Sequence, residues 1–288
     1  MSFEIVTDSS ANLPNHIIDE HRIHVLSLSF IVGGQEYKSY IKGQENDLAK
    51  FYVMMRNGET ITTSCVDPVT VQELIEPLLV AGKDLLYMGF SSRLSATYDV
   101  VCNVLNQLKL KYSERTIITI DTLAASLGQG LIVKYASLLR EEGKNIFEVS
   151  KWVENNICHI CHWFTVEDLK YLRRGGRISA AKALIGDVLQ VKPIMHMDDN
   201  GQLIPVDKVR GKTRSLDALV DKMKESYLGL KQIIYIAHAD CLERAEYLQA
   251  KIKEFYQAEE IMIHQIDPVI GAHVGPGTAS IYFLGKQR

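Results

Sequence analysis

DLLYMGFSSRLSATYDVVCNVLNQLKLKYSERTIITIDT, residues 84–122, carries the pattern that decides the fold. DLLYMGFSS (84–92) is an apolar run that ends in hydroxyls. SATYDVVCNVLNQLKLKY (95–112) repeats its apolar residues at helical spacing, and TIITIDT (116–122) is a second apolar run. A strand, a helix and a strand in this order form a crossover, the connection that parallel neighbours require. The unit recurs on both sides. FEIVTD (3–8) reads as a buried strand, followed by the helix NLPNHIIDEHR and the strand HVLSLSFIVGG (24–34). DLAKFYVMMRNGE (47–59), VTVQELIEPLLVAG (69–82) and GQGLIVKYASLLREEG (128–143) have helical spacing. The N-terminal half is therefore expected to be a layered α/β domain with a mainly parallel sheet. Ligands of such sheets sit at the carboxyl ends of the strands, which here carry Asp8-Ser9-Ser10, Ser91-Ser92 and Asp121-Thr122.

The second half has a different rhythm. A helix, NIFEVSKWVENNI (145–157), leads into the strand CHWFTV (161–166), then LKYLRRGGRIS and a helix, AAKALIGDVLQV. PIMHMDDNGQLIPVDKVRG (193–211) reads as a hairpin turning at Asn200-Gly201. The helix SLDALVDKMKESYL, the strand QIIYIAHA (232–239), a further helix and a tail containing GAHVGPGT (271–278) follow. Hairpin character predicts an α+β domain with a mixed or antiparallel sheet. The expected domains are residues 1–162 and 163–288, with a ligand head group near their interface. A length of 288 residues agrees with two cores.

Composition narrows the function. The net charge of -3 supplies no basic field for nucleic acid. No signal peptide and no membrane-spanning run are visible, and five cysteines without framework spacing fit a reducing compartment, so a cytoplasmic protein is expected.

Several motifs have competing readings. CHICH (158–162) matches the haem-attachment pattern C-x-x-C-H and offers metal-capable atoms, but a structural zinc site wants a second ligand pair. Buried apolar thiols are the favoured reading, and no metal or cofactor is expected. VRGKT (209–213) lacks the first glycine of a phosphate loop, since Val206 stands there. Lys208, Arg210, Lys212 and Arg214 remain as a basic turn, able to sit in solvent or dock an acidic partner. In RRGGRIS (173–179) two glycines, Arg177 and a capping Ser179 form an anion-receptive corner or a plain turn. TTSC (62–65) and SSRLSAT (91–97) are hydroxyl clusters that cap helices or orient a carboxylate. Neither holds the elbow of a serine nucleophile. GAHVGPGT reads as a bent connection before a final strand.

Taken together, IVTDSSANLP, TTS, SSRLSATY, FTVEDLKYLRRGGRIS and AHVGPGT resemble the DegV family of bacterial fatty-acid-binding proteins over essentially the whole chain. The resemblance implies two α/β domains around a buried long-chain fatty acid. It implies that Thr63 and Ser95, with Ser92 close by, hold the carboxylate, and that His273 and Arg177 lie near the head group. The resemblance implies a carrier without chemistry of its own, and in the kinase-associated members a separate ATP-dependent kinase phosphorylates the bound acid to an acyl phosphate. The segment centred on Arg210 would dock that kinase, and lipid exchange would involve transient membrane contact. Two departures from the family pattern stand out. Cys65, Val66 and Asp67 follow Thr63-Ser64, and Ala96 replaces a glycine between Ser95 and Thr97. The alternative is a protein of dihydroxyacetone-kinase type that binds its substrate covalently through His273.

Overall fold

The computed structural model describes residues 3–178, 191–229 and 231–288. The expected helix AAKALIGDVLQV and the capping Ser179 lie outside the described residues. The rest divides into two compact units, one of residues up to Asn46 with Thr63–Ile157, the other of Asp47–Thr62 with Cys158–Arg288.

The first unit contains β1 (Phe3–Asp8), α1 (Asn15–Glu20), β2 (Ile23–Leu26), β3 (Ser29–Val32) and β4 (Gln35–Lys38). Then α2 (Leu48–Arg56) belongs to the second unit, and β5 (Ile61–Ser64) straddles the division. The first unit resumes with α3 (Pro68–Val80), β6 (Asp84–Gly89), α4 (Thr97–Lys111), β7 (Ile117–Asp121), α5 (Ser126–Glu141) and α6 (Ile146–Asn156). Its main sheet has the order β2-β1-β6-β7, and every pairing is parallel. β1 connects to β2 on one side while β6 connects to β7 on the other, so the order reverses between β1 and β6. That reversal is the position where open parallel sheets bind ligands. Val6, Leu26, Leu85, Tyr87 and Ile117 pack with α3 and α4 residues in one core. The alternate side chains face the other way, where α5 packs on β1 and β6 and α6 on β6 and β7.

HVLSLSFIVGG is two strands rather than the single one expected, and they lie in different sheets. β2 is an edge of the parallel sheet, while β3 joins a small sheet in the order β4-β3-β5. Serine hydroxyls break the run. Ser9 Oγ accepts from the Leu28 amide at 3.0 Å, and Ser27 Oγ accepts from the Tyr40 amide at 2.9 Å. The backbone donors at the crossing are met by side chains, so the chain leaves one ladder for another at little cost.

The second unit contains β8 (Ile160–Thr165), α7 (Lys170–Arg174), β9 (Val191–Met197), β10 (Leu203–Arg210), α8 (Lys212–Ser226), β11 (Ile233–His238), α9 (Leu242–Phe255), β12 (Glu260–Gln265), α10 (Pro268–Val274) and β13 (Ala279–Leu284). Its sheet runs β10-β9-β8-β13-β11-β12. All pairings are antiparallel except β11 with β12. The chain is thus mixed α/β, with one parallel and one mixed main sheet besides the small β4-β3-β5 sheet, as the two halves of the sequence imply. β9 and β10 form the expected hairpin, with Met197 opposite Leu203 and Gly201 at φ 76 in its turn. α8 packs on β8, β9, β10 and β13, and α9 on β11, β12 and β13.

Candidate functional site

The hydroxyl loop of the first unit starts at the carboxyl end of β6, where the sheet order reverses. Asp8 anchors it from below. This carboxylate is fully buried at the end of β1. It accepts from the Phe90 amide at 2.8 Å, the Ser10 amide at 3.1 Å and the Tyr87 hydroxyl at 3.2 Å. Burial raises its pKa, and the amide donors pull the other way. Asp121, at the end of β7, anchors the loop from the side. Its carboxylate accepts from the Ser92 amide at 3.3 Å and the Leu123 amide at 3.0 Å. The Ser91 amide donates to the Ala124 carbonyl at 3.0 Å. Asp8 and Asp121 stood out in the sequence only as polar strand ends; their anchoring role required the register of β1, β6 and β7.

Ser95 precedes α4. Its Oγ accepts from the Thr97 amide at 3.2 Å and lies 2.9 Å from Thr97 Oγ1. Either hydroxyl can be the donor in the second contact, so Ser95 and Thr97 are linked to each other at the start of α4. Ser92 and Ser95 are both half-buried. The glycine that Ala96 replaces is not required by the backbone, because Ala96 has φ -73 and ψ -2 and is exposed.

Thr63 is half-buried in β5. The three residues that depart from the family pattern have separate tasks. Cys65 is exposed, Val66 is 1% exposed in the α3–α4 core, and Asp67 caps α3 by accepting from the Thr70 amide at 3.1 Å.

His273 and Arg177 come together in the second unit. Gly271–Val274 are helical, so His273 sits in the last turn of α10 rather than in the bent connection expected; the bend is confined to Gly275–Thr278. The helix is started by Asp267, which accepts from the Ile270 amide at 2.8 Å. Gly271 is needed inside it because a Cβ there would lie 2.7 Å from the Tyr52 hydroxyl of α2. Burial, then Arg177 and Arg174, push the His273 pKa down to about 4, so the ring is neutral at pH 7. The Arg177 guanidinium donates to the Gly175 carbonyl, closing the turn after α7.

Glu167, which the sequence did not single out, organises the second unit's strand ends. It accepts from Lys192 Nζ at 2.7 Å, pairs with Lys212 at 3.3 Å and accepts from the Arg244 guanidinium, which also donates to the Gly277 carbonyl. Burial pushes its pKa up, but Lys192 and Arg244 outweigh this and hold it at about 2. Lys212 of the basic segment is thus engaged, while Arg210 is exposed at the end of β10.

The CHICH side chains do not gather into a ligand cluster among the described residues. Cys161 is buried in the core with α8 and α9, and burial raises its pKa to about 11. No cluster of metal-capable residues occurs among the described residues. Among the same residues, no helix is long and apolar enough to cross a membrane.

Comparison with known proteins gives a consistent answer. Residues 2–286 match the family model described as DegV, uncharacterised protein. A DegV domain-containing protein of Clostridium perfringens is 39% identical over 287 residues, covering 99% of this chain and 98% of the relative. A solved structure described as fatty acid binding of a DegV family protein from Thermus thermophilus shares 26% identity at a TM-score of 0.90. It covers 99% of this chain and 100% of its own. The structure of DegV, a fatty acid binding protein from Bacillus subtilis, also shares 26% identity, with a TM-score of 0.84 and coverage of 99% and 100%.

Proposed function

The chain belongs to the DegV family, and on that premise we propose that it binds one long-chain fatty acid as a carrier, without chemistry of its own. The observation that carries this reading is whole-length likeness to two fatty-acid-binding structures. The hydroxyl loop at the β1–β6 reversal supports it. Ser95 is held by Thr97 at the start of α4, and Ser92 stands on a backbone pinned by Asp121. Thr63, Ser92 and Ser95 are assigned to the carboxylate, and His273 and Arg177 to the head group by family resemblance. The tail is assigned to the face of the six-stranded sheet that points away from α8 and α9. Phe164, Met195, Met197 and Ile233 on that face are all buried.

Energetics divides the work. Roughly 14 buried methylenes at about 0.8 kcal/mol each contribute on the order of 11 kcal/mol gross. A hydroxyl bonded to a carboxylate contributes about 1.5–3 kcal/mol. Affinity comes from the tail and orientation from the head group. The carrier presents the acid to a separate ATP-dependent kinase that docks at Arg210, and it exchanges lipid in transient contact with membranes.

Native mass spectrometry of the purified protein, followed by organic extraction, tests the reading. One non-covalent fatty acid per chain is expected. A lipid-free protein that also fails to take up palmitic or oleic acid would overturn it, and a covalent triose on His273 would replace it with the dihydroxyacetone-kinase alternative.

A further inference from the structure

The strands of the six-stranded sheet send alternate side chains to opposite faces. Cys161, Trp163, Ile194, Ile236 and Ile281 pack with α8 and α9 in one core. The residues between them point the other way. Register sets His162 opposite Tyr282, and Tyr282 opposite Tyr235, so three rings form a row across β8, β13 and β11. They are 2%, 6% and 0% exposed. The next row, about 7 Å along the strands, is Met195, Phe164, Ser280 and Ala237. A small-residue groove beside two large apolar side chains is thus crossed at its next step by a row with polar atoms.

His162 is the unusual member. Its Nδ1 lies 2.9 Å from the Ile160 carbonyl. A carbonyl only accepts, so Nδ1 carries the proton and Nε2 an outward lone pair. Nε2 is buried and has no hydrogen-bond partner among the described residues. The Tyr282 ring stands edge-on to it at 5.4 Å and 84°, which fixes the imidazole in place. Burial and the Arg288 cation hold the ring neutral, so the lone pair stays open. A buried acceptor without a donor is costly, and folded interiors rarely keep one unless something meets it. A leucine at this place would carry no such penalty.

We propose that His162 is a specificity-determining residue, whose Nε2 accepts a hydrogen bond from a hydroxyl on the acyl tail, so that the preferred ligand is a hydroxylated long-chain fatty acid. The proposal rests on the reading above that an acyl tail lies along this face. It also gives the second histidine of CHICH a task that no metal reading supplies.

The test is displacement of a fluorescent fatty acid from the delipidated full-length protein by stearic, 10-hydroxystearic and 12-hydroxystearic acids. Wild type, His162→Leu and His162→Gln are compared. In the wild type, one hydroxy acid is expected to displace the probe at about tenfold lower concentration than stearic acid. His162→Leu is expected to lose that preference while stearic acid still binds, and His162→Gln, which keeps an acceptor, to retain part of it. A wild type that binds all three acids alike, or stearic acid best, overturns the proposal but leaves the fatty-acid reading standing. A preference that survives in His162→Leu overturns it as well. Failure of the wild type to bind any of the three acids overturns both. Should His162→Leu not fold, the wild-type series and His162→Gln decide.

Discussion

Gly175 lies against His273 so closely that a Cβ on residue 175 would stand 2.3 Å from the imidazole Nδ1. The reverse holds one step on. A Cβ on Gly275, which has φ +79, would stand 2.2 Å from Cδ2 of Tyr171. The turn after α7 and the end of α10 each carry a glycine that admits the other's ring. Gly175→Ala is therefore expected to destabilise the protein by about 1–3 kcal/mol through overpacking. The urea midpoint should fall and the His273 imidazole resonances should shift. Gly176→Ala strains a backbone at φ +69 but its Cβ meets nothing within 4 Å, so it should lower stability without the direct contact that shifts those resonances.

Acid should destabilise the fold through its buried histidines. Burial, aided by arginines, holds His273 and His196 at about 4 and keeps His162 well below its ordinary value. The unfolded chain binds these protons below a pH of about 6.5. The folded chain refuses the His273 and His196 protons until about 4 and resists protonating His162 as well, so stability falls as pH drops through that window. Urea midpoints measured at several pH values between 7 and 4 should decline, and His273→Gln should flatten the decline. A flat profile in the wild type would contradict this.

Asp8 should matter to the loop through the backbone it holds. Asp8→Ala strands the Phe90 and Ser10 amides and the Tyr87 hydroxyl. A loss of about 2–3 kcal/mol in chemical denaturation is expected, with weaker fatty-acid retention even where the protein remains folded.

Thr63→Ala and Ser95→Ala should each weaken fatty-acid binding by roughly tenfold without abolishing it, since the tail supplies most of the affinity. Extraction and mass spectrometry of the folded variants measure this. A single substitution that yields folded, lipid-free protein would refute the division between head and tail.

Arg210→Ala should raise the carrier concentration at which a fatty acid kinase reaches half its rate, with lipid content unchanged, because Arg210 is exposed at the end of β10. His273→Ala should lower acyl-phosphate formation more than it lowers binding. Equal loss of both would argue against a role for the ring in phosphoryl transfer.

Much of the fold was legible because its signals are local. FEIVTD, DLLYMG and IITID alternate with amphipathic helices, and Asn200-Gly201 marks a hairpin by turn chemistry alone. The reading failed where a nonlocal contact overrides local propensity. Gly271 and His273 look like loop residues, yet they lie in the helix that Asp267 caps, where the Tyr52 hydroxyl of α2 leaves no room for a Cβ on residue 271. HVLSLSFIVGG looks like one strand until Ser9 and the Tyr40 amide meet its serine-leucine junction. Glu167 is one acid among many in the chain and becomes a hub only when Lys192, Lys212 and Arg244 converge on it.

By itself the sequence determined the layered α/β class, the parallel-then-mixed order of sheets and the family, because periodicity and motif order are properties of the chain. It also determined which hydroxyls and which histidine to examine. Only the tertiary structure decided what those groups can do. It pinned the Ser91–Thr97 loop with Asp8 and Asp121, turned His273 neutral beside two arginines, and left the buried His162 Nε2 without a hydrogen-bond partner among the described residues. Burial and hydrogen-bond partners arise from residues far apart in sequence, and they set both the protonation and the hydrogen bonding of a site.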